Sequence, residues 1–370
     1  MTFPDVPSKK RGLELTGRHA AAAQIAGERL QRHASAQQRA DGRQRGKKST
    51  DSAGFGATGA RGRRLIWVTA PRQVLPGRTY LITRRCLQRQ FLLRPDERTN
   101  RIFLYCLSEA LLRYGIELNV LLAMSNHYHL VIFDGHGRLP QFLRHLNLMT
   151  AKALNVRWGR WENLWSVEQA SATWLVEDED VLAKGVYALV NPSVDDLVEH
   201  VADWPGASSW SAHVSGKTIV IERPREFFRK RGAMPERVEL KVVAPRRAAN
   251  PEERWPLAEW NERLLCAVRS AEDTALAWRR KRGVSVLGRG NVRRQSAFDS
   301  PKTYTRRRTL RPSVACRSRD RRIHELAILR VFRQLHRLAS QAFLNGGRAV
   351  VFPAGSWAQR AFCAAPPAPE

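Results

Sequence analysis

Cysteine is sparse in this 370-residue chain: Cys86, Cys106, Cys266, Cys316 and Cys363 are odd in number, far apart and never in a CxxC spacing. That excludes a disulfide framework and gives no thiolate zinc signature, so a reducing compartment is expected. Long apolar runs are also missing. No stretch approaches the roughly 20 residues that cross a bilayer, and Ala20 to Ala23 is too short for a signal core. A soluble, cytoplasmic protein with no membrane partner follows as the expectation. Internal repeats are absent, which removes solenoid and propeller architectures. Acidic residues are the last shortage, 34 Asp and Glu against 63 Lys and Arg, leaving a formal net charge of +29.

The shortage of acid is uneven along the chain. Residues 1–64 carry 14 basic against 5 acidic side chains, residues 65–212 carry 15 of each, and residues 213–370 carry 34 against 14. So large a cationic excess suits a polyanion, and nucleic acid is the commonest, because each neutralised phosphate releases condensed counterions. An arginine-rich genome writing a merely soluble surface is the bland alternative. Residues 1–64 hold only Phe3 and Phe55 as aromatics and cannot build a core, so they read as a basic disordered arm. Residues 213–250 read as a Pro- and Arg-rich linker. Residues 251–370 read as a basic, mostly helical C-terminal region that could add DNA contacts.

The neutral stretch 65–212 holds nearly all the clean periodicity. TYLITRR (Thr79 to Arg85) alternates like a strand, and NRIFLYCLSEALLRYG (Asn100 to Gly115) has helical spacing with a glycine stop. IELNVLLAM and HYHLVIF, joined by Ser125 and Asn126, read as a hairpin. LPQFLRHLNLMTAKAL reads as a second helix and ATWLV (Ala172 to Val176) as a short strand. A further helix runs from about Glu179 to Pro192. Strand, helix, strand, strand, helix, strand is the pattern of an α+β domain with a ferredoxin-like antiparallel sheet and packed helices.

Within that pattern SNHYHLVIF sets His127 and His129 two apart on a strand, so both imidazoles project from one face while Tyr128, Leu130 and Ile132 take the other. Two converging imidazoles suit a metal ion, although a His-x-His pair arises by chance often enough to need a third partner. KGVYALVNP supplies one: Tyr187 and Asn191 are four apart on one helical face, away from Leu182, Val186 and Leu189. Pro192 is expected to stop the helix and leave the Asn191 amide at its frayed end. Lys184, one turn before Tyr187, is either a phosphate contact or a solvated lysine. Trp158, Trp161, Trp165 and Trp174 could stack on unpaired bases or sit in the core. Arg306, Arg307 and Arg308 lie in RRQSAFDSPKTYTRRRTLRP, which looks like a phosphate-contacting loop. SVLGRGNVRRQ carries a faint helix-turn-helix pattern, and His136 sits in a DGHG turn that argues against a ligand.

MSNHYHLVI resembles the His-hydrophobic-His strand of the HUH endonucleases. VYALVNP followed by DDLVEHVADWPGASSW is similar to the tyrosine helix and Trp-Pro segment of REP-associated tyrosine transposases and related single-tyrosine insertion-sequence transposases, over about residues 66–210. The resemblance implies a transposase: a DNA endonuclease and strand transferase that cleaves and rejoins single strands, at hairpin or repeat ends, through a 5′-phosphotyrosine. It assigns His127, His129 and Asn191 as ligands of Mg²⁺ or Mn²⁺, and Tyr187 as the nucleophile. Single-stranded or hairpin DNA would be the partner and a bacterial, nucleoid-associated cytoplasm the location. Whether such an enzyme acts as a monomer or as a homodimer exchanging tyrosines stays open. Two alternatives stand beside it: a DNA-binding protein that keeps the fold but has lost its chemistry, and a relaxase or rolling-circle initiator. The order of one tyrosine helix after the histidine strand disfavours the last.

Overall fold

The computed structural model describes residues 70–224, 229, 232–303, 312–347 and 349–356; the arm 1–64 and Arg306, Arg307 and Arg308 lie outside these. Strand β1 (Arg78–Arg85) leads to helix α1 (Glu97–Tyr114), which Asp96 caps by accepting the Thr99 N–H at 2.9 Å. Gly115 ends it in the left-handed conformation, φ 63°. The chain then runs through β2 (Ile116–Ala123), β3 (His127–Asp134), α2 (Leu139–Trp158), β4 (Ser171–Leu175), α3 (Asp178–Leu189), α4 (Asn191–Val194) and α5 (Trp210–Ser215). Beyond these come β5 (Ile219–Glu222), β6 (Arg237–Leu240), α6 (Leu257–Arg282), α7 (Arg289–Arg294), β7 (Val314–Ala315) and α8 (Arg319–Leu344).

The main sheet has the order β2-β3-β1-β4-β7. Its first four strands pair antiparallel, and their β1-α1-β2-β3-α2-β4 connectivity gives the ferredoxin-like α+β core. β7 adds to the β4 edge in parallel, making the five-stranded sheet mixed. Alternation along the strands decides what each face covers. Tyr80, Ile82, Tyr128, Leu130 and Ile132 pack under α1 and α2, against Phe103, Leu107, Phe142 and Leu146. Leu81, Val120, Val131 and Leu175 point the other way, toward Val181, Val186 and Leu189 of α3 and Trp260, Leu264 and Val268 of α6. The sheet is therefore sandwiched between two helical layers, and the histidines belong to the second face.

The stretch 213–250, read from the sequence as a linker, carries the strands β5 and β6. A boundary after residue 212 would pass through α5. The β5–β6 hairpin buries Ile221, Val238 and Leu240 with the α1 side of the core, and Tyr105 donates its hydroxyl to the Pro235 carbonyl at 2.5 Å. Their burial holds the two strands on the core. The faint helix-turn-helix pattern also resolves differently. α7 has six residues, and its Val292 is buried against Leu122, Met124 and Trp204 as a wedge at the sheet's end.

Candidate active site at the histidine strand

The site begins with the register of β3 against β1, in which Arg85 pairs with His127 and Thr83 with His129. Each imidazole has its Nδ1 held. Thr83 Oγ1 lies 2.8 Å from His129 Nδ1, and Asn126 Oδ1 lies 2.6 Å from His127 Nδ1. Asn126 is itself anchored, donating its Nδ2 to the Arg89 carbonyl at 3.1 Å. An amide oxygen only accepts, so His127 Nδ1 is the donor in this contact, and a neutral ring then carries its lone pair on Nε2. The two rings meet edge to face with centroids 4.8 Å apart.

Tyr187 arrives from α3. Gly185 lets that helix lie close: a methyl group there would sit 3.3 Å from Val120 Cγ2 and 3.4 Å from Leu264 Cδ1. The Tyr187 ring consequently stands 5.6 Å from the His129 ring, centroid to centroid, in an edge-on arrangement. Lys184 places its Nζ 5.5 Å from the tyrosine ring. Asn191 follows one turn later, but not as a frayed amide. It opens α4 with Pro192 behind it, because proline is tolerated in the first turn of a helix, and it is fully buried. Its Nδ2 donates to the carbonyls of Tyr187 at 2.9 Å and Ala188 at 3.2 Å, while its buried Oδ1 has no hydrogen-bond partner among the described residues.

The corner holding Asn191 is braced by α6, in a region for which the sequence offered only DNA contacts. Arg279, 4% exposed, donates to the Ser193 carbonyl at 2.9 Å and to Asp196 Oδ1 at 3.2 Å, and Arg282 adds a second contact to Asp196. The Asp-Trp-Pro segment clamps the other side. Trp204 donates its indole N–H to the Ala123 carbonyl at 2.9 Å, and the Ala123 N–H goes to the Ala207 carbonyl at 2.8 Å, fixing the end of β2 just before the histidine turn.

Sequence reasoning missed Thr83, Asn126 and Arg279. Strand register identifies the first, and only the fold brings the last within reach. It also missed Glu177, Asp180 and Cys316, which bring one potential ligand atom each within 4.8 Å of one another. These sit at the start of α3, about two turns from Tyr187. The two carboxylates already form a capping box, each accepting the other residue's backbone N–H, and desolvation by burial pushes Asp180 up to about 6. Burial likewise raises the Cys316 thiol, reinforced by the charges of Asp180 and Glu177. Of the tryptophans, Trp165 is buried at 7% exposure, and Trp158 and Trp174 are half-buried against core residues. Trp161 is 96% exposed.

No family model matches the chain, and no curated protein does. Among solved structures, one titled as the REP-associated tyrosine transposase bound to a REP hairpin is similar over 47% of this chain and 97% of its own length, at 16% identity and a TM-score of 0.34. No helix among the described residues is long and apolar enough to cross a membrane.

Proposed function

We propose that this protein is a tyrosine-dependent transposase that cuts and rejoins single-stranded DNA, with Tyr187 as nucleophile and His127, His129 and Asn191 as the holders of a divalent ion. The observation that carries this reading is the meeting of Tyr187 with an imidazole pair whose Nδ1 atoms are already engaged. The residues fit a metal: Asn191 keeps a buried amide oxygen unpartnered, which in a dry site is costly unless something else satisfies it. Two imidazole nitrogens and one amide oxygen form the mixed, incomplete donor set suited to Mg²⁺ or Mn²⁺ that must also meet a phosphate. When bound, such an ion withdraws charge from the scissile phosphate.

The chain's own residues do the rest. Thr83 and Asn126 hold the imidazoles so that neither ring turns its Nδ1 toward the ligand site. Tyr187 Oη attacks phosphorus, the Oη–P bond forms, and the P–O3′ bond breaks. The phenolic proton goes to solvent, and the departing O3′ takes one up as a 3′-hydroxyl. The bond energy stays in the 5′-phosphotyrosine, so rejoining by a 3′-hydroxyl needs no nucleotide cofactor. Lys184, beside the tyrosine ring, would meet the phosphate. DNA affinity comes largely from the basic flanks, including Arg306, Arg307 and Arg308, because residues 161–212 hold ten acidic side chains against one basic.

His127→Ala and His129→Ala should abolish cleavage of a single-stranded hairpin while leaving its binding within a few-fold, since the ligands act on one phosphate and add little to the long-range field. Loss of binding to the same degree as cleavage would point to the alternative, a protein that holds DNA through this face without chemistry.

A further inference from the structure

The loop that leaves α2 displays one side chain to solvent on a backbone held from both sides. Gly159 turns the chain at φ 62°, the Arg160 N–H then donates to the Asn155 carbonyl at 2.9 Å, and Asn155 Nδ2 donates to the Glu162 carbonyl at 2.8 Å. Asn155 thus pins the residues on both sides of Trp161, whose indole is 96% exposed. Leaving the largest apolar side chain in water forfeits the burial that would stabilise the fold, and the braced backbone lowers the backbone share of the ordering cost of a later contact. Its chain neighbour Arg160 leads to a cluster of rings and largely buried guanidiniums. Phe298, 51% exposed, lies 6.4 Å from the half-buried Trp158 ring, and the Arg160 guanidinium is 6.0 Å from the Phe298 ring. Arg94 and Arg157 lie over Trp158 at 5.2 and 4.4 Å.

This loop is joined to the histidine strand by backbone. The Leu87 N–H donates to the Leu164 carbonyl at 2.8 Å and the Ser166 N–H to the Arg85 carbonyl at 3.0 Å, while Arg85 is the register partner of His127. Between the two, Gln88 and Arg89 are both left-handed, φ 51° and 61°, which non-glycine residues adopt only when their surroundings impose it. The Arg89 guanidinium there donates to the Thr303 carbonyl at 2.6 Å.

We infer that Trp161 is a stacking platform for an unpaired base of single-stranded DNA, held one loop away from the histidine strand by the pairing of Leu87 with Leu164 and of Ser166 with Arg85. Stacking on an indole is tolerant of sequence, because every base has a flat π-face, and it discriminates unpaired from paired strands, because a paired base has no free face to offer. The platform would therefore select the strand form, and the site its cleavage point. The inference rests on the proposed action on single strands.

The test uses the full chain and a fluorescent single-stranded oligothymidylate, with affinity read by anisotropy across a salt series. Trp161→Ala should weaken binding about 10-fold, Trp161→Phe should keep most of the affinity, and the salt slope should stay unchanged because no phosphate contact is removed. On an oligonucleotide of the same length made entirely of abasic sites, wild type and Trp161→Ala should bind alike. Trp161 touches so little of the fold that thermal midpoints of the variants should match. Unaltered oligothymidylate affinity in Trp161→Ala, as a protein-partner role for this indole would give, overturns the platform, and so does an equal loss on the abasic strand. If the wild type binds single strands in this Trp161-dependent way but forms no covalent product, the nuclease reading fails and the platform stands. If it forms the product while Trp161→Ala binds normally, the platform alone fails.

Discussion

Thr83→Val removes a hydrogen bond that orients His129. Valine keeps the shape and β-branching of threonine on β1, so strand pairing with β3 and β4 should survive. What disappears is the 2.8 Å contact between Thr83 Oγ1 and His129 Nδ1. Fold stability should fall by about 1 kcal/mol, the net value of one partly exposed hydrogen bond. The larger effect is on the metal. A ligating histidine freed from its outer partner can rotate and change tautomer, which typically costs 10- to 100-fold in metal affinity or activity. The assay is cleavage of a labelled single-stranded hairpin over a Mn²⁺ titration. The half-saturating Mn²⁺ concentration should rise at least about 10-fold, with activity largely recovered at saturation, and Thr83→Ser should behave as wild type. An unshifted Mn²⁺ curve in the valine variant would refute the assignment of His129 as a ligand oriented through Nδ1.

Gly206→Ala should destabilise the protein by about 2–4 kcal/mol in urea unfolding, because the new methyl would sit 2.7 Å from the Ala123 carbonyl oxygen and closer still to Trp204 Nε1, breaking the clamp between them; a change below about 0.5 kcal/mol would show that the clamp is slack. Asp180 gives a pH signature of defined sign. Its folded form titrates near 6, above the unfolded carboxylate range, so its contribution is fully present below about pH 4 and is lost as pH rises through 6, up to about 3 kcal/mol. Asp180→Asn keeps an acceptor for the Glu177 N–H, so the variant should gain on wild type between pH 4 and 7 in denaturant melts, and parallel curves would contradict the assignment. Asp96, Glu109 and Glu117 are shifted downward by their ion pairs and hydrogen bonds, against the opposing effect of burial, and they act in the opposite sense, as stability lost when pH falls. They are common to both proteins and cancel in the comparison.

The α+β core was legible because periodicity is local. Two-residue alternation around His127 and 3.6-residue spacing in α1, α2 and α3 are written within single segments, and their order already implied the antiparallel sheet. The faces were legible for the same reason: Tyr128, Leu130 and Ile132 had to oppose the histidines. What could not be read depends on pairing across the chain. Thr83 matters only through a register that sets it opposite His129, and Arg279 only because α6 lies against Ser193, 86 residues away. β7 is two residues long, and its place beside β4 has no periodic signature. The helix end at Pro192 was misread for a local reason. The steric rule for the residue before proline is a tendency, and here a new first turn at Asn191 absorbs it.

The central claim, that Tyr187 becomes covalently joined to DNA, is tested most directly by capture with end-specific labels. Full-length protein is incubated with Mn²⁺ and a single-stranded hairpin labelled at either its 5′ or its 3′ end, then denatured and resolved. The account predicts a denaturation-resistant protein–DNA band that keeps the 3′ label, releases the 5′-labelled piece with a free 3′-hydroxyl, and vanishes in Tyr187→Phe and on removal of the metal by EDTA. A band that persists in Tyr187→Phe, or one that carries the 5′ label, would contradict it.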